Sequence, residues 1–268
     1  MAKQLSGLIV LAALWVTLAP ASAAIRPEVA APSVKDISTI LFVGNSFFYY
    51  NNGILNFITG FSRGSLDGKK LSGTMVTISG SGFDWHDMES YFRPHAVGYY
   101  NFDKHNQIVF NSRSKYYDAV LMMDCSQCPI HPQLGKIFVD YARRDAEIAR
   151  RHGVEPMLFM SWAYKDHPEM TPELDEAYTK AGNSNHELVI PAGLAFARVR
   201  EQRPEVELYQ PDLRHPTVAG SYLAGAVVYA SIVGRPLDDN SFTAGLDPAL
   251  AAYLRKTAWE TAAAYYAR

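Results

Sequence analysis

Cysteine is scarce in this 268-residue chain: only Cys125 and Cys128 occur, both in the stretch "DCSQCP". With no second pair, the usual ligand set of a structural zinc site is missing. No cysteine follows the apolar N-terminal run, which argues against a lipoprotein. A basic excess is also absent. The formal charge is −2 with 48% hydrophobic residues, an ordinary globular composition without the electrostatic footprint of a nucleic-acid binder. Beyond the N-terminus there is no second apolar span, no internal repeat and no low-complexity tract.

The N-terminus is different in kind. Lys3 precedes an uncharged run from Gln4 to Ile25, with "LIVLAALWVTLAP" strongly apolar and "ASA" at 21–23 closing it. A basic start, an apolar middle and a small-residue exit describe a secretory signal peptide over residues 1–23. The apolar core is shorter than the roughly 20 residues that span a bilayer. No stable membrane span is expected after cleavage, and the mature chain is expected to be secreted or periplasmic. Residues 24–36, "AIRPEVAAPSVKD", are rich in Pro and Ala and read as a flexible leader to one domain over 37–268.

An exported chain meets an oxidising environment. Three readings of the Cys-x-x-Cys motif follow: a structural disulfide, two quiet thiols in a loop, or a redox centre with a lowered thiol pKa. The redox reading needs the motif at a helix start, and Pro129 and Pro132 follow at once.

Along the chain, apolar strands alternate with helix-length segments. "TILFVG", "GTMVTISG", "YDAVLMMD", "EPMLFMSW" and "LVIPAG" read as strands, with "VELYQPD" as a further short one. "NGILNFITGFS" and "LGKIFVDYARRDAEIARRHG" read as helices, the second with an apolar stripe of Leu134, Ile137, Phe138, Tyr141 and Ile148 and a stop at Gly153. "TPELDEAYTKAG" predicts a helix capped by Thr171 with Pro172 at its first position. "GLAFARVREQRP", the run after His215 and the last twenty residues predict three more. Residues 84–106 read as helix plus loop. This alternation predicts an α/β fold: a three-layer α/β/α, flavodoxin-like parallel sheet of about five strands with helices on both faces. Ligands bind such sheets beyond the carboxyl ends of the strands.

"ILFVGNSFFYYNNG" places Ser46 at such an end. Gly, Asn and Ser are common turn formers, so a plain turn accounts for the local residues. A nucleophilic serine needs a base, and the base needs an orienting group. Seven histidines, His86, His95, His105, His131, His152, His167 and His186, sit beside loops or helix ends and read as surface or capping residues. His215 follows Asp212 by three residues in "LYQPDLRHPT", a spacing that can set a carboxylate against one ring nitrogen and leave the other for a serine. It equally suits a strand end leading into a capped helix.

"ILFVGNSF" and "DLRHPTVAGSYLAG" resemble the first and last blocks of the SGNH/GDSL hydrolase superfamily, in the branch that writes Gly-Asn-Ser for Gly-Asp-Ser. "IPAGLAFARVR" resembles that branch as well. The resemblance implies Ser46 as nucleophile, His215 as general base and Asp212 as its orienter. It implies an oxyanion hole from the Ser46 backbone N–H, a glycine N–H of "ISGSGFD" and an amide from the block after "AVLMM". Gly82 is the expected N–H donor, with Gly80 and Phe83 as alternatives. Where the family carries Asn in that third block, this chain reads Asp124-Cys125-Ser126-Gln127-Cys128, so Gln127, or Ser126 more weakly, takes the place. Met123 stands where the branch often has Gln.

The resemblance implies a metal-free, cofactor-free serine esterase acting through an acyl-serine intermediate on a small-molecule or polysaccharide ester. O-acetyl groups on a carbohydrate are the expected target. The alternatives are a lipase or esterase on small or lipid esters, an O-acyltransferase, and a non-catalytic glycan-binding protein with a degenerate oxyanion hole. Phe47, Phe48, Tyr49 and Tyr50 offer either stacking surface for a substrate or packing beneath the first helix.

Overall fold

The computed structural model describes residues 25–65, 68–111 and 115–268. The expected signal peptide lies outside them. In chain order the strands are β1 (Thr39–Gly44), β2 (Ser72–Thr77), β3 (Tyr100–Phe102), β4 (Ile108–Phe110), β5 (Ala119–Met122), β6 (Glu155–Phe159) and β7 (Leu188–Ile190). The helices are α1 (Ser46–Tyr49), α2 (Ile54–Gly64), α3 (Met88–Tyr91), α4 (Gly135–Arg151), α5 (Met170–Asn185), α6 (Ala192–Gln202), α7 (Val218–Val233) and α8 (Pro248–Tyr266).

Five strands form one parallel sheet in the order β2-β1-β5-β6-β7. Apolar runs such as Ile40–Val43 and Ala119–Met122 are wholly buried, as strands covered on both faces must be. Helices α2, α6, α7 and α8 pack together as one layer, and α3, α4 and α5 as the other. Every residue of α7 from Ala219 to Ile232 is buried. The chain leaves β1 for β2 on one side and returns to β5 on the other. The topological switch point, where such sheets bind ligands, therefore lies at the carboxyl ends of β1 and β5.

Four local expectations change. Residues 84–106 hold the end of a 3₁₀ turn and the single-turn α3 and then enter a β3–β4 hairpin, whose Tyr100, Phe102, Ile108 and Phe110 are exposed. An exposed hairpin has no period-two burial pattern to read. "VELYQPD" adds no strand to the sheet; Tyr209 makes one isolated bridge to Pro216. Thr171 does not cap α5, which begins at Met170 with Glu169 as its flanking residue. The buried face of α4 is Phe138, Ala142, Asp145, Ala146, Ile148 and Ala149; it keeps Phe138 and Ile148 of the expected stripe but sets a carboxylate among them.

Asp145 is 1% exposed, and neither of its oxygens has a hydrogen-bond partner among the described residues. Burial pushes its carboxyl up to about 7, with Arg144 pulling it down and Asp124 pushing further up. Burial likewise raises Glu187 to about 8 and Asp124 to about 6. A carboxyl raised on folding stabilises fully below its unfolded pKa, and the contribution is lost as pH rises to the folded value. Asp118 works the other way. Burial pushes it up, but hydrogen bonds from Ser38 and Thr39 outweigh this and leave it low, so its contribution is lost only in acid. Thermal stability is therefore expected to peak near pH 4, close to the unfolded carboxylate range, and to fall by several degrees by pH 8, at about 1.4 kcal/mol per pK unit before relaxation. Melting curves across that range check it, and Asp145→Asn should flatten the decline.

Candidate active site

β1 ends at Gly44, and Asn45 turns the chain into α1 with an extended backbone (φ −137°, ψ −154°). Its side-chain oxygen accepts the Phe47 N–H at 3.2 Å, capping the turn that begins with Ser46. The amide nitrogen of the same side chain donates to the carbonyls of Ser81 (3.0 Å) and Asp124 (3.1 Å). One buried Asn thus ties the loops after β2 and β5 to the end of β1. Two carbonyl acceptors call for an N–H donor, which explains an amide rather than a carboxylate at this position. Asn45→Ala strands both carbonyls and is expected to cost roughly 1–3 kcal/mol in denaturant unfolding. Asn45→Asp is expected to do no better at neutral pH.

The loop between α6 and α7 brings Asp212 and His215 over Ser46. His215 Nε2 lies 2.8 Å from Ser46 Oγ, and its Nδ1 lies 2.5 Å from Asp212 Oδ2. The other Asp212 oxygen accepts the backbone N–H groups of Arg214 (3.0 Å) and His215 (2.9 Å). This short-range turn puts Leu213 in the left-handed region (φ +65°). Burial pushes the Asp212 carboxyl up, but the His215 ring and the two backbone donors outweigh it and hold it at about 2. Asp212 therefore stays ionised wherever the fold persists.

The His215 ring is fixed from several sides. Tyr50 stacks on it at 4.1 Å and 10°, and Phe47 meets it edge-on at 5.6 Å. Phe47 in turn stacks on Trp162, and Trp162 on Phe196. Trp162 Nε1 donates to the Arg214 carbonyl at 2.9 Å. Asn51 Nδ2 donates to the Pro216 carbonyl and to Ser221 Oγ. Phe47 and Phe48 are buried, so their role is packing; Tyr49 remains partly exposed, with its hydroxyl on Ser79.

The expected oxyanion groups divide. Ser46 opens α1, where the first N–H groups have no intrahelical acceptor, and Gly82 flanks a 3₁₀ turn over Phe83–Trp85. Neither the Ser46 nor the Gly82 N–H is hydrogen-bonded among the described residues. Gly80 has a positive φ and open space around it, while the Phe83 N–H is already given to Asp124 at 2.8 Å. Gln127 touches neither Ser46 nor His215 by hydrogen bond: its amide donates to the Tyr164 hydroxyl at 3.3 Å, which Ser126 Oγ also meets at 2.6 Å. Met123 is buried. Cys125 and Cys128 form a disulfide across this loop.

His86 departs from its expected surface place. It is 3% exposed, with Nε2 3.0 Å from Ser81 Oγ and Nδ1 3.0 Å from the Tyr91 hydroxyl. Since Ser81 gives its own proton to the Gly44 carbonyl, His86 must donate from Nε2 and accept at Nδ1. Burial lowers its pKa, which favours this neutral form. The chain Tyr91–His86–Ser81–Gly44 braces the loop carrying Gly82. A lone His in an aperiodic segment gave no signal of it. Among the described residues no three His, Cys, Asp or Glu side chains are grouped to hold a metal ion.

Solved structures share this arrangement of elements. A protein of Slackia heliotrinireducens assigned to the SGNH hydrolases matches 73% of this chain and 98% of its own, at 17% identity and a TM-score of 0.54. The fold is that of the SGNH hydrolases. A DUF4886 family protein from Bacteroides uniformis matches 83% of this chain and 93% of its own, at 17% identity and a TM-score of 0.56. A variant of an acetyl-xylooligosaccharide esterase from Geobacillus Stearmophilus covers 80% of this chain and 98% of its own, at 13% identity and a TM-score of 0.53. No family model matches the chain. No curated protein matches it either. No helix among the described residues is long and apolar enough to cross a membrane.

Proposed function

We propose that this chain is an exported serine esterase that removes O-acetyl groups from a carbohydrate. The carrying observation is the unbroken line Ser46 Oγ–His215–Asp212, at 2.8 and 2.5 Å. In the proposed cycle His215 takes the Ser46 proton as Oγ attacks the ester carbonyl. The Ser46 and Gly82 N–H groups receive the developing oxyanion, and Gln127 joins them once its amide leaves Tyr164. His215 then protonates the departing alcohol, leaving an acyl-serine. Water, deprotonated by the same imidazole, releases acetate and restores the serine. Asp212, ionised throughout, fixes the tautomer and balances the imidazolium.

Carbohydrate is supported by two features. Trp85, three residues after Gly82, is 60% exposed and offers a flat apolar face. The acetyl-xylooligosaccharide esterase shares the fold. Export is supported by the Cys125–Cys128 disulfide, which suits an oxidising compartment. Rates on acetylated oligosaccharides, set against aryl esters of rising acyl length, test the reading. Acetyl is expected to lead, and a preference for long acyl chains would sink it in favour of a lipase. The Gln127 amide held by Tyr164 is the one observation favouring a non-catalytic glycan binder. Binding of the same sugars without acetate release would establish that instead.

A further inference from the structure

The rim of the site carries a guanidinium without a counterion. Arg214 is exposed and directly precedes His215. Its guanidinium carbon lies 4.6 Å from the centroid of the Tyr164 ring. Among the described residues it makes no salt bridge and gives no side-chain hydrogen bond, whereas Arg143, Arg151, Arg198, Arg235 and Arg268 each meet a carboxylate.

This cation is placed rather than merely exposed. Tyr164 is only 7% exposed, and its hydroxyl is held by Ser126 and Gln127. The Arg214 backbone is fixed at both ends, its N–H on Asp212 and its carbonyl on Trp162. Tyr164 covers the guanidinium from one side, and its N–H donors bond no group among the described residues. The neighbouring cations are spent: Lys165 pairs with Glu207, while Arg200 donates to the Lys165 carbonyl and lies over Tyr209. His167 lies near Tyr164 with Glu169 and Asp166 beside it. The exposed Asp84 carboxylate belongs to the loop of Gly82. A negative substituent of the substrate is therefore drawn toward Arg214, on the side of Tyr164 and Gln127.

We propose that the substrate is acidic, an O-acetylated sugar whose carboxylate binds the Arg214 guanidinium beside the ester undergoing cleavage. This rests on the esterase reading above. A single unpaired guanidinium matches the single charge and planar fork of a carboxylate better than the higher charge of a phosphate monoester. The carboxylate sets which acetyl group reaches Ser46, so Arg214 governs specificity and takes no part in bond breaking.

The test uses calorimetric binding to the full mature Ser46→Ala chain. The ligands are an O-acetylated uronic-acid oligosaccharide and its carboxyl methyl ester. The acid is expected to bind about tenfold to a hundredfold more tightly, the range for a hydrogen-bonded charge pair. That advantage should shrink with salt. Arg214→Gln should erase it and Arg214→Lys should keep part of it. Equal affinity for acid and methyl ester, an advantage surviving Arg214→Gln, or no binding of either ligand would overturn the proposal. Turnover is read separately with Ser46 intact. Tight acid binding without acetate release would refute the esterase reading while upholding the contact.

Discussion

Ser46→Ala and His215→Ala are each expected to abolish labelling by a fluorophosphonate probe and to lower ester hydrolysis by about 10⁴- to 10⁶-fold. The two losses should not add, because neither group acts without the other. Ser46 is 7% exposed, within reach of a probe yet screened from bulk water. Removing its hydroxyl deletes one 2.8 Å contact and leaves the Asn45 bracket untouched, so the variant should melt close to the parent. Asp212→Asn should cost about 10⁴-fold by disturbing the tautomer that presents a bare Nε2 to Ser46. Equal labelling of the parent and Ser46→Ala would move the nucleophile elsewhere. A folded parent that takes no label would leave the glycan-binding reading in possession.

The meeting of Ser46, His215 and Asp212 in the candidate site is legible in the sequence. An apolar strand ending in Gly44-Asn45-Ser46, and Asp212 three residues before His215, carry their geometry in their spacing. The local turn at Asp212 needs nothing distant to form, because the side chain bonds the backbone two and three residues on. What stayed hidden depends on contacts between remote segments. His86 gains meaning only when Ser81 and Tyr91 close around it. Asp145 occupies a helix face that reads as apolar by period, and its burial and the push from Asp124 depend on other elements. The β3–β4 hairpin buries no face, so no hydrophobic alternation marked it. Gln127 was the natural substitute for a missing Asn by position. Its direction, toward Tyr164, is set by a residue 37 positions away.

Gly82→Ala is expected to lower kcat by roughly 100-fold or more with a much smaller change in KM, the pattern of a lost oxyanion donor. The backbone at Gly82 is extended (φ −93°), so alanine brings no torsional strain there. The obstacle is space. An added Cβ would stand 2.8 Å from Asp124 Oδ1 and 2.9 Å from Asp84 Oδ1, with the Cys128 sulfur 3.7 Å away on the disulfide. Asp84 is exposed and can swing aside. Asp124 cannot, because that oxygen accepts the N–H groups of Phe83 and Cys125 and its carbonyl is held by Asn45. The methyl group must therefore push the Gly82 segment itself, shifting the N–H proposed to receive the oxyanion. Gly80→Ala supplies the contrast, since open space surrounds that residue and its positive φ (+73°) gives only local strain. A fall in kcat confined to Gly82→Ala identifies the donor. Equal falls in both variants would mean that the loop as a whole, rather than this one N–H, governs the rate.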